Sequence, residues 1–254
     1  MPMRSPFNLS GKIALVTGSS RGLGLMMAAG LSHAGAAVIL NGRHRDTLEA
    51  AELMRSGKPV YLSVFDVTVD NQVQNAVKTI EATIGPIDIL VNNAGINRRF
   101  ALEKFPLKAW QEIIDTNLKG AFLVSRAAAR GMIQRKSGKI INICSMQSEL
   151  GRETIGPYAA AKGGLKMLTR GMATEWGQYH IQVNGLGPGY FKTEMTRKLW
   201  ENPEFDAWLC RRSPSRRWGN PDELIGPLIF LASDASSYVN GHILYVDGGL
   251  LASI

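Results

Sequence analysis

The sequence has 254 residues, 45% of them hydrophobic, which is enough apolar material for one sizeable core. Two cysteines, Cys144 and Cys210, are too few for a disulfide framework or a cysteine metal site, so we predict two free thiols. The net charge is +8, but no basic run is interleaved with aromatic residues, and this excludes a typical nucleic-acid-binding surface. A positive field favours anionic small molecules instead.

The apolar stretches end well before the roughly 18 residues that a membrane span needs, and the first residues lack the apolar core of a signal peptide. We therefore expect a cytoplasmic protein with no membrane contact. No linker, repeat or low-complexity tract divides the sequence, so a single domain over residues 1–254 is predicted.

Strand-like and helix-like segments alternate along the chain, which predicts an α/β fold with helices on both faces of a seven-stranded parallel sheet. The near-continuous apolar character of IDILVN and KIINIC is typical of central strands buried on both faces. The predicted strands cover residues 12–17, 36–41, 59–65, 87–92, 138–144, 180–186 and 242–247. The predicted helices lie near 22–34, 44–56, 70–84, 107–135, 157–178 and 221–232.

A glycine-rich turn, TGSSRGLG at residues 17–24, connects the first predicted strand to the first helix. Its glycines are Gly18, Gly22 and Gly24. Glycine lets the chain turn tightly and lets its backbone approach a pyrophosphate at a helix N-terminus, so the turn predicts a dinucleotide site. The alternative is a plain glycine-rich connection between strand and helix.

The end of the second predicted strand indicates which dinucleotide is bound. An acidic residue there would bind the ribose 2′-hydroxyl of NAD, but this sequence has Asn41, Gly42 and Arg43. Arg43, together with Arg21 of the turn, can pair with a 2′-phosphate, because a planar guanidinium suits that group. The pattern favours NADP(H), although Arg43 could also be an ordinary surface arginine.

Tyr158 and Lys162 stand one helical turn apart, 13 residues after Ser145. At this i, i+4 spacing an ammonium favours the phenolate, so we expect Lys162 to lower the pKa of Tyr158 towards neutrality. A tyrosine tuned in this way can exchange a proton with an alcohol or carbonyl. Taken alone, the pair could equally be two neighbours on a helix surface.

The stretch 189–219 breaks the alternation, follows Pro188 and holds Trp200, Trp208 and Trp218. Thirty residues are too many for a simple connection, so we predict a mobile lid over the substrate. The alternative is a surface helical hairpin with buried tryptophans.

Six features resemble the short-chain dehydrogenase/reductase family in order and spacing. They are TGSSRGLG (17–24), NNAG (92–95), Asn117 in DTNLKG, Ser145, the Tyr158/Lys162 pair and the GPG of NGLGPGYF (184–191). The resemblance implies a single-domain Rossmann fold, a homotetramer and four catalytic residues: Asn117, Ser145, Tyr158 and Lys162. Asn117 would position a water that connects Lys162 to solvent.

The turn, the charge pattern and the resemblance together assign a set of cofactor contacts. By resemblance alone, residues 66–67 border the adenine, residues 93–95 the adenine ribose, and residues 188–190 with Thr193 the nicotinamide amide. The full set is Gly18, Ser20, Arg21, Gly22, Leu23, Gly24, Asn41, Arg43, Asp66, Val67, Asn93, Ala94, Gly95, Tyr158, Lys162, Pro188, Gly189, Tyr190 and Thr193.

A narrower resemblance concerns the substrate. The segments INRR (96–99), INICSMQSELGR (141–152), GYFKTEMT (189–196), FDAWLCRR (205–212) and RWGNPDELIG (217–226) are similar to family members that interconvert D-gluconate and 5-dehydro-D-gluconate. A sugar acid needs a cation and polar groups, so we expect Arg99 to bind its carboxylate, with Arg152 and the arginines of 189–219 as second choices. Gln147 and Glu149 are expected to bind its hydroxyls, beside Ser145 and Tyr158.

Three other functions stay open. The same catalytic set serves 3-oxoacyl thioester reductases and dehydrogenases of other sugar acids or polyols. A non-catalytic NADP(H)-binding regulator would keep the fold, but binding alone does not need all four catalytic residues. Glu149 as a single carboxylate is too little for a metal site, so no metal is expected.

Overall fold

A computed structural model describes residues 5–52 and 59–253. Its seven strands form one parallel sheet in the order β3-β2-β1-β4-β5-β6-β7. The order reverses between β1 and β4, which is where doubly wound sheets bind their ligands. The predicted fold class is confirmed. The strands are Ile13–Val16 (β1), Ala37–Gly42 (β2), Val60–Val64 (β3), Ile89–Asn92 (β4), Gly138–Ile143 (β5), Ile181–Pro188 (β6) and Ile243–Val246 (β7).

The helices of the described residues cover both faces of the sheet. They are Gly22–His33 (α1), Arg45–Glu52 (α2), Asp70–Thr83 (α3), Leu107–Ile114 (α4), Gly120–Arg135 (α5), Gly156–Trp176 (α6), Arg197–Trp200 (α7), Pro203–Arg212 (α8) and Ile225–Ala232 (α9). Part of the predicted helix 44–56, residues 53–56, lies outside the described residues. The predicted helix 107–135 differs in detail, because a π-helical turn, Asp115–Lys119, joins α4 to α5.

Alternate residues of the central strands belong to two separate cores. Val16 packs with α1 and α9 on one face, while the next residue towards the N-terminus, Leu15, packs with α3, α5 and α6 on the other. A strand points successive side chains to opposite faces, so a strand covered on both sides must be apolar throughout. This explains the continuous apolar runs of the central strands.

Residues 189–219, which we call the lid segment, contain α7 and α8 and an aromatic cluster. Tyr190, Phe205, Trp208 and Trp218 meet with ring centroids 5.1–6.4 Å apart. Trp218 is 5% exposed and donates from Nε1 to an Asp206 carboxylate oxygen at 2.7 Å. The two short helices agree in part with the helical-hairpin interpretation, and motion of the segment stays a prediction.

Within residues 5–52 and 59–253, no helix has the length and apolar character required to cross a membrane. Both cysteines are free thiols, as predicted, with Cys144 buried at the end of β5.

Candidate active site

The glycine turn and the NNAG segment form one interlocked unit beyond the ends of β1 and β4. Asn93 donates from its amide to the carbonyl oxygens of Thr17 (2.9 Å) and Gly18 (3.0 Å). Gly18 has a φ of +62°, and a Cβ on it would lie 2.9 Å from the Ala94 Cα. Only glycine meets both demands, so the two motifs depend on each other's backbone.

Asn41 supports the turn from the end of β2. Its Oδ1 accepts from the Gly18 N–H at 3.1 Å, and its Nδ2 donates to the Ser63 and Phe65 carbonyls at 3.2 and 3.1 Å. The residue is 1% exposed. Its side chain therefore supports the backbone of the turn, and the expected contact of Asn41 with the cofactor stays a prediction.

The outer edge of the turn is open. Gly22 has a φ of +58°, and a Cβ placed on it would meet no atom within 4 Å. Beside it, the Arg21 side chain is 81% exposed and lies 3.9 Å from Glu194 of the lid segment. Arg43 is also exposed, at the end of β2. Open backbone at a helix N-terminus, two arginines and a strand end without a carboxylate fit a phosphorylated dinucleotide.

The remaining predicted cofactor residues lie along the same edge. Ser20 and Leu23 belong to the turn and the first turn of α1, and Gly24 would clash with Asn93 if it carried a Cβ. Asp66 caps the turn after β3 by accepting from Thr68, and Val67 packs against Gly120. Those predicted contacts, with Gly95, Pro188, Gly189 and Thr193, stay predictions.

Ser145 lies two residues after the end of β5 and caps a short 3₁₀ turn, Met146–Ser148. Its hydroxyl donates to the Gln147 side-chain oxygen at 2.8 Å and accepts from the Gln147 N–H at 3.2 Å. It also hydrogen-bonds to Tyr158 in the first turn of α6. One turn further, the Lys162 ammonium lies 5.7 Å from the Tyr158 ring centroid. The structure thus brings three predicted catalytic side chains together.

Burial is the main cause of the pKa shifts of Tyr158 and Lys162. Burial raises the pKa of Tyr158, and the hydrogen bond with Ser145 offsets that only in part. The same cause lowers the pKa of Lys162, which is 4% exposed, to about 8. The expectation that the pKa of Tyr158 is lowered towards neutrality is therefore wrong for the chain by itself, because loss of water is the largest cause and it raises the pKa.

Asn117 lies in the π-helical turn between α4 and α5. Its Oδ1 accepts from the Ile96 N–H at 2.8 Å and its Nδ2 donates to the Ile96 carbonyl at 2.9 Å. π-helical turns occur often at functional sites. The side chain ties this turn to the strand-end loop after β4, and the predicted water connection to Lys162 stays a prediction.

The predicted substrate residues separate into two groups. Arg99 is on the loop after β4, and partial burial followed by the charge of Arg152 lowers its pKa. Gln147 touches Ser145. Glu149, in contrast, accepts from Lys166 with both oxygens and from the Tyr245 hydroxyl, each at 2.6 Å. These bonds use three acceptor positions of its carboxylate, and the expected contact with a substrate hydroxyl stays a prediction.

Two features were not assigned from the sequence. Tyr245 of β7 and Lys166 of α6 are distant from Glu149 in the sequence and reach it only in the folded protein. No local sequence pattern predicts these contacts. Tyr190, expected at the cofactor, has its side chain in the lid cluster, where its hydroxyl accepts from Arg152 at 3.0 Å. Among the described residues, no three His, Cys, Asp or Glu side chains form a group suited to a metal ion.

Comparison with known proteins covers nearly the whole chain. A family model described as enoyl-(acyl carrier protein) reductase matches residues 18–251. The chain is 52% identical over 254 residues to 5-keto-D-gluconate 5-reductase of Escherichia coli strain K12, covering 99% of this chain and 100% of that protein. It is 50% identical to 2-dehydro-3-deoxy-D-gluconate 5-dehydrogenase of Formosa agariphila, covering 98% and 96%.

Among solved structures, the chain resembles a gluconate 5-dehydrogenase from Burkholderia cenocepacia in complex with NADP and tartrate. The TM-score is 0.95 and the identity is 51%, covering 98% of both chains.

Proposed function

Because the chain belongs to the short-chain dehydrogenase/reductase family, we propose that it interconverts D-gluconate and 5-dehydro-D-gluconate with NADP(H). The observation that carries this proposal is the meeting of Ser145, Tyr158 and Lys162 beside the open glycine turn, with Arg99 on the adjoining loop. An acid–base group between a dinucleotide site and a cation suits a sugar acid.

NADP(H) fits the described residues. When bound, it supplies or accepts the hydride. The backbone around Gly22 would hold its pyrophosphate, while Arg21 and Arg43 would hold the 2′-phosphate. The Burkholderia cenocepacia relative, solved with NADP, supports this choice.

The side chains divide the remaining work of reduction. Ser145 donates a hydrogen bond to the keto oxygen as negative charge develops there, and Tyr158 gives that oxygen a proton. The raised pKa of Tyr158 keeps the phenol protonated at neutral pH, which suits a donor. Lys162 keeps a positive charge beside the ring below about pH 8. In the oxidative direction Tyr158 takes the proton back.

The charge at the substrate end favours an acid. Arg99 and Arg152 provide two guanidiniums, whereas a thioester or a neutral polyol needs neither. Tartrate, the hydroxy acid of the solved relative, agrees with this. The description of the matching family model favours a second candidate, a reductase of acyl thioesters, and the Formosa agariphila relative favours a 3-deoxy keto acid.

The proposal includes a homotetramer in the cytoplasm. Leu107 of α4 is 85% exposed, and Trp110, Phe122 and Met167 add apolar surface on α4, α5 and α6. These exposed apolar side chains support an interface between chains. Free thiols suit a reducing compartment. Light scattering at micromolar concentration should report four chains, and a monomer would contradict this part.

A substrate panel tests the activity. NADPH oxidation is followed at 340 nm with 5-keto-D-gluconate, 2-dehydro-3-deoxy-D-gluconate, a neutral ketose and a 3-oxoacyl thioester. We expect the highest kcat/KM with 5-keto-D-gluconate. A higher value for the thioester would replace the proposed function with the second candidate, and activity with none of the four would reject both.

A further inference from the structure

Arg152 lies on the loop between β5 and α6, yet the lid segment holds it in place. Its Nη1 donates to the Tyr190 hydroxyl at 3.0 Å. Its guanidinium carbon lies 4.6 Å from the Phe205 ring centroid and 5.7 Å from that of Tyr190. A guanidinium stacked on two rings and bonded at one nitrogen has a fixed direction, and its other N–H groups stay available.

Arg99 lies on the loop after β4, which adjoins the loop that carries Arg152. The next residue, Phe100, donates from its backbone N–H to the Thr154 carbonyl at 3.2 Å, so the loops that carry Arg99 and Arg152 run side by side. Two like charges repel, and the charge of Arg152 contributes to the lowered pKa of Arg99.

Neither Arg99 nor Arg152 forms an ion pair in the part of the chain that the structure describes. Within the described residues, neither guanidinium has a carboxylate oxygen within 4.0 Å, whereas the neighbouring Arg98 pairs with Glu112 at 3.8 Å. Arg217 of the lid segment pairs with Glu223 at 2.6 Å. An anion placed between Arg99 and Arg152 would turn the repulsion into two attractions.

We propose that Arg152 is the second arm of a two-arginine clamp for the substrate carboxylate, and that Tyr190 and Phe205 are the residues that position it. Recognition of the acid and placement of the lid segment are then coupled through one side chain. This inference rests on the proposed function, because the carboxylate that the two arginines bind is that of the proposed substrate.

Kinetics with 5-keto-D-gluconate test the clamp. Arg152→Ala should raise the KM for the keto acid about 10- to 100-fold, the factor that a charged hydrogen bond provides, and leave kcat and the KM for NADPH within about threefold. Arg152→Lys should recover part of the loss, since it restores the charge without the planar fork. Tyr190→Phe should raise the same KM less. Arg98→Ala, one residue from Arg99 and already paired with Glu112, is the matched control and should change nothing.

A double variant checks that both arginines hold one group. Arg99→Ala with Arg152→Ala should raise KM by less than the product of the single effects, because the second loss removes an already weakened contact. If the rise in KM of the double variant equals the product of the two single rises, the shared clamp is overturned. If Arg152 serves only to hold the lid segment, Arg152→Ala would lower kcat and raise the KM for NADPH, and Arg152→Lys would recover no activity. That result would also overturn the clamp.

Binding of tartrate separates failure of the clamp from failure of the proposed function. Calorimetry on the NADP⁺-saturated protein should show tartrate binding weakened by Arg152→Ala as strongly as the KM is raised. If the natural protein does not reduce 5-keto-D-gluconate, the proposed function fails while this titration still tests the clamp. Unchanged tartrate affinity in Arg152→Ala would reject the clamp whatever the substrate.

Discussion

In the cofactor half of the site, around residues 17–24 and 92–95, the polar side chains direct their hydrogen bonds to the chain itself. In the substrate half, Arg99 and Arg152 lie on two adjoining loops, and neither has an ion pair with a carboxylate among the described residues. Asn93 and Asn41 illustrate the first half, because both side-chain amides hydrogen-bond to the backbone of Gly18. The cofactor half is stabilised by hydrogen bonds within the protein, whereas the substrate half has two positive charges that an anion can neutralise.

This difference follows from what each half must recognise. A pyrophosphate is met by main-chain N–H groups, so the protein need only fix a backbone shape. A sugar acid is met by side chains, which can be exchanged without refolding the sheet.

The two halves meet at Tyr158, where the largest effect is expected. Tyr158→Phe keeps the ring and removes the proton donor, so kcat should fall about 10²- to 10⁴-fold while NADPH affinity stays the same. Stopped-flow turnover and fluorescence titration measure the two quantities. Tyr179→Phe is the control, and near-normal turnover in Tyr158→Phe would reject the mechanism.

Gly18 tests how far the cofactor half depends on the exact backbone shape of the turn. Gly18→Ala combines a left-handed φ of +62° with a Cβ 2.9 Å from Ala94, and should lower the free energy of unfolding by about 2–5 kcal/mol. Gly22→Ala has nearly the same φ, +58°, but open space, and should cost only about 1–2 kcal/mol. Urea unfolding of both variants measures the difference, and equal losses would show that the clash is absent.

The outer rim of the cofactor half sets the choice of cofactor. Arg43→Ala should weaken NADPH binding by about 1.5–3 kcal/mol and leave NADH binding unchanged, because only NADPH carries the 2′-phosphate. Titration with both cofactors checks this. Equal weakening of the two would mean that Arg43 does not contact the phosphate.

Lys162 gives the site a pH limit. Burial lowers its pKa to about 8, so the charge is present below that pH and is lost as the pH rises through it. The kcat/KM for NADPH should be level below pH 8 and then fall about tenfold per pH unit. Tyr158, with its raised pKa, stays protonated in this range. A level profile up to pH 10 would contradict the lowered pKa.

The sequence predicted the cofactor half more fully than the substrate half for a physical reason. The glycine spacing and the apolar strand runs are local, and they largely determine the turn and the seven-stranded sheet. The partners of Glu149, Lys166 and Tyr245, come from α6 and β7 and depend on the packed fold. The pKa of Tyr158 was misjudged for the same reason, since spacing reveals a neighbouring charge but not burial.

The smallest effect is expected where the two halves touch across the lid segment. Glu194 lies 3.9 Å from Arg21, and both side chains are exposed, so the pair itself adds little stability. Its carboxylate competes with a 2′-phosphate for Arg21. Glu194→Gln should therefore tighten NADPH binding by less than about 1 kcal/mol, leave NADH unchanged, and lose its effect at high salt.

Glu201→Gln is the matched control for that change. Glu201 belongs to the same segment, is exposed and lies 3.9 Å from an arginine, Arg197. Glu201→Gln therefore removes the same charge from an ion pair of the same length. If only Glu194→Gln tightens NADPH, the lid segment tunes the cofactor half through Arg21. If both variants act alike, the effect is one of net charge, and the two halves are independent at this contact.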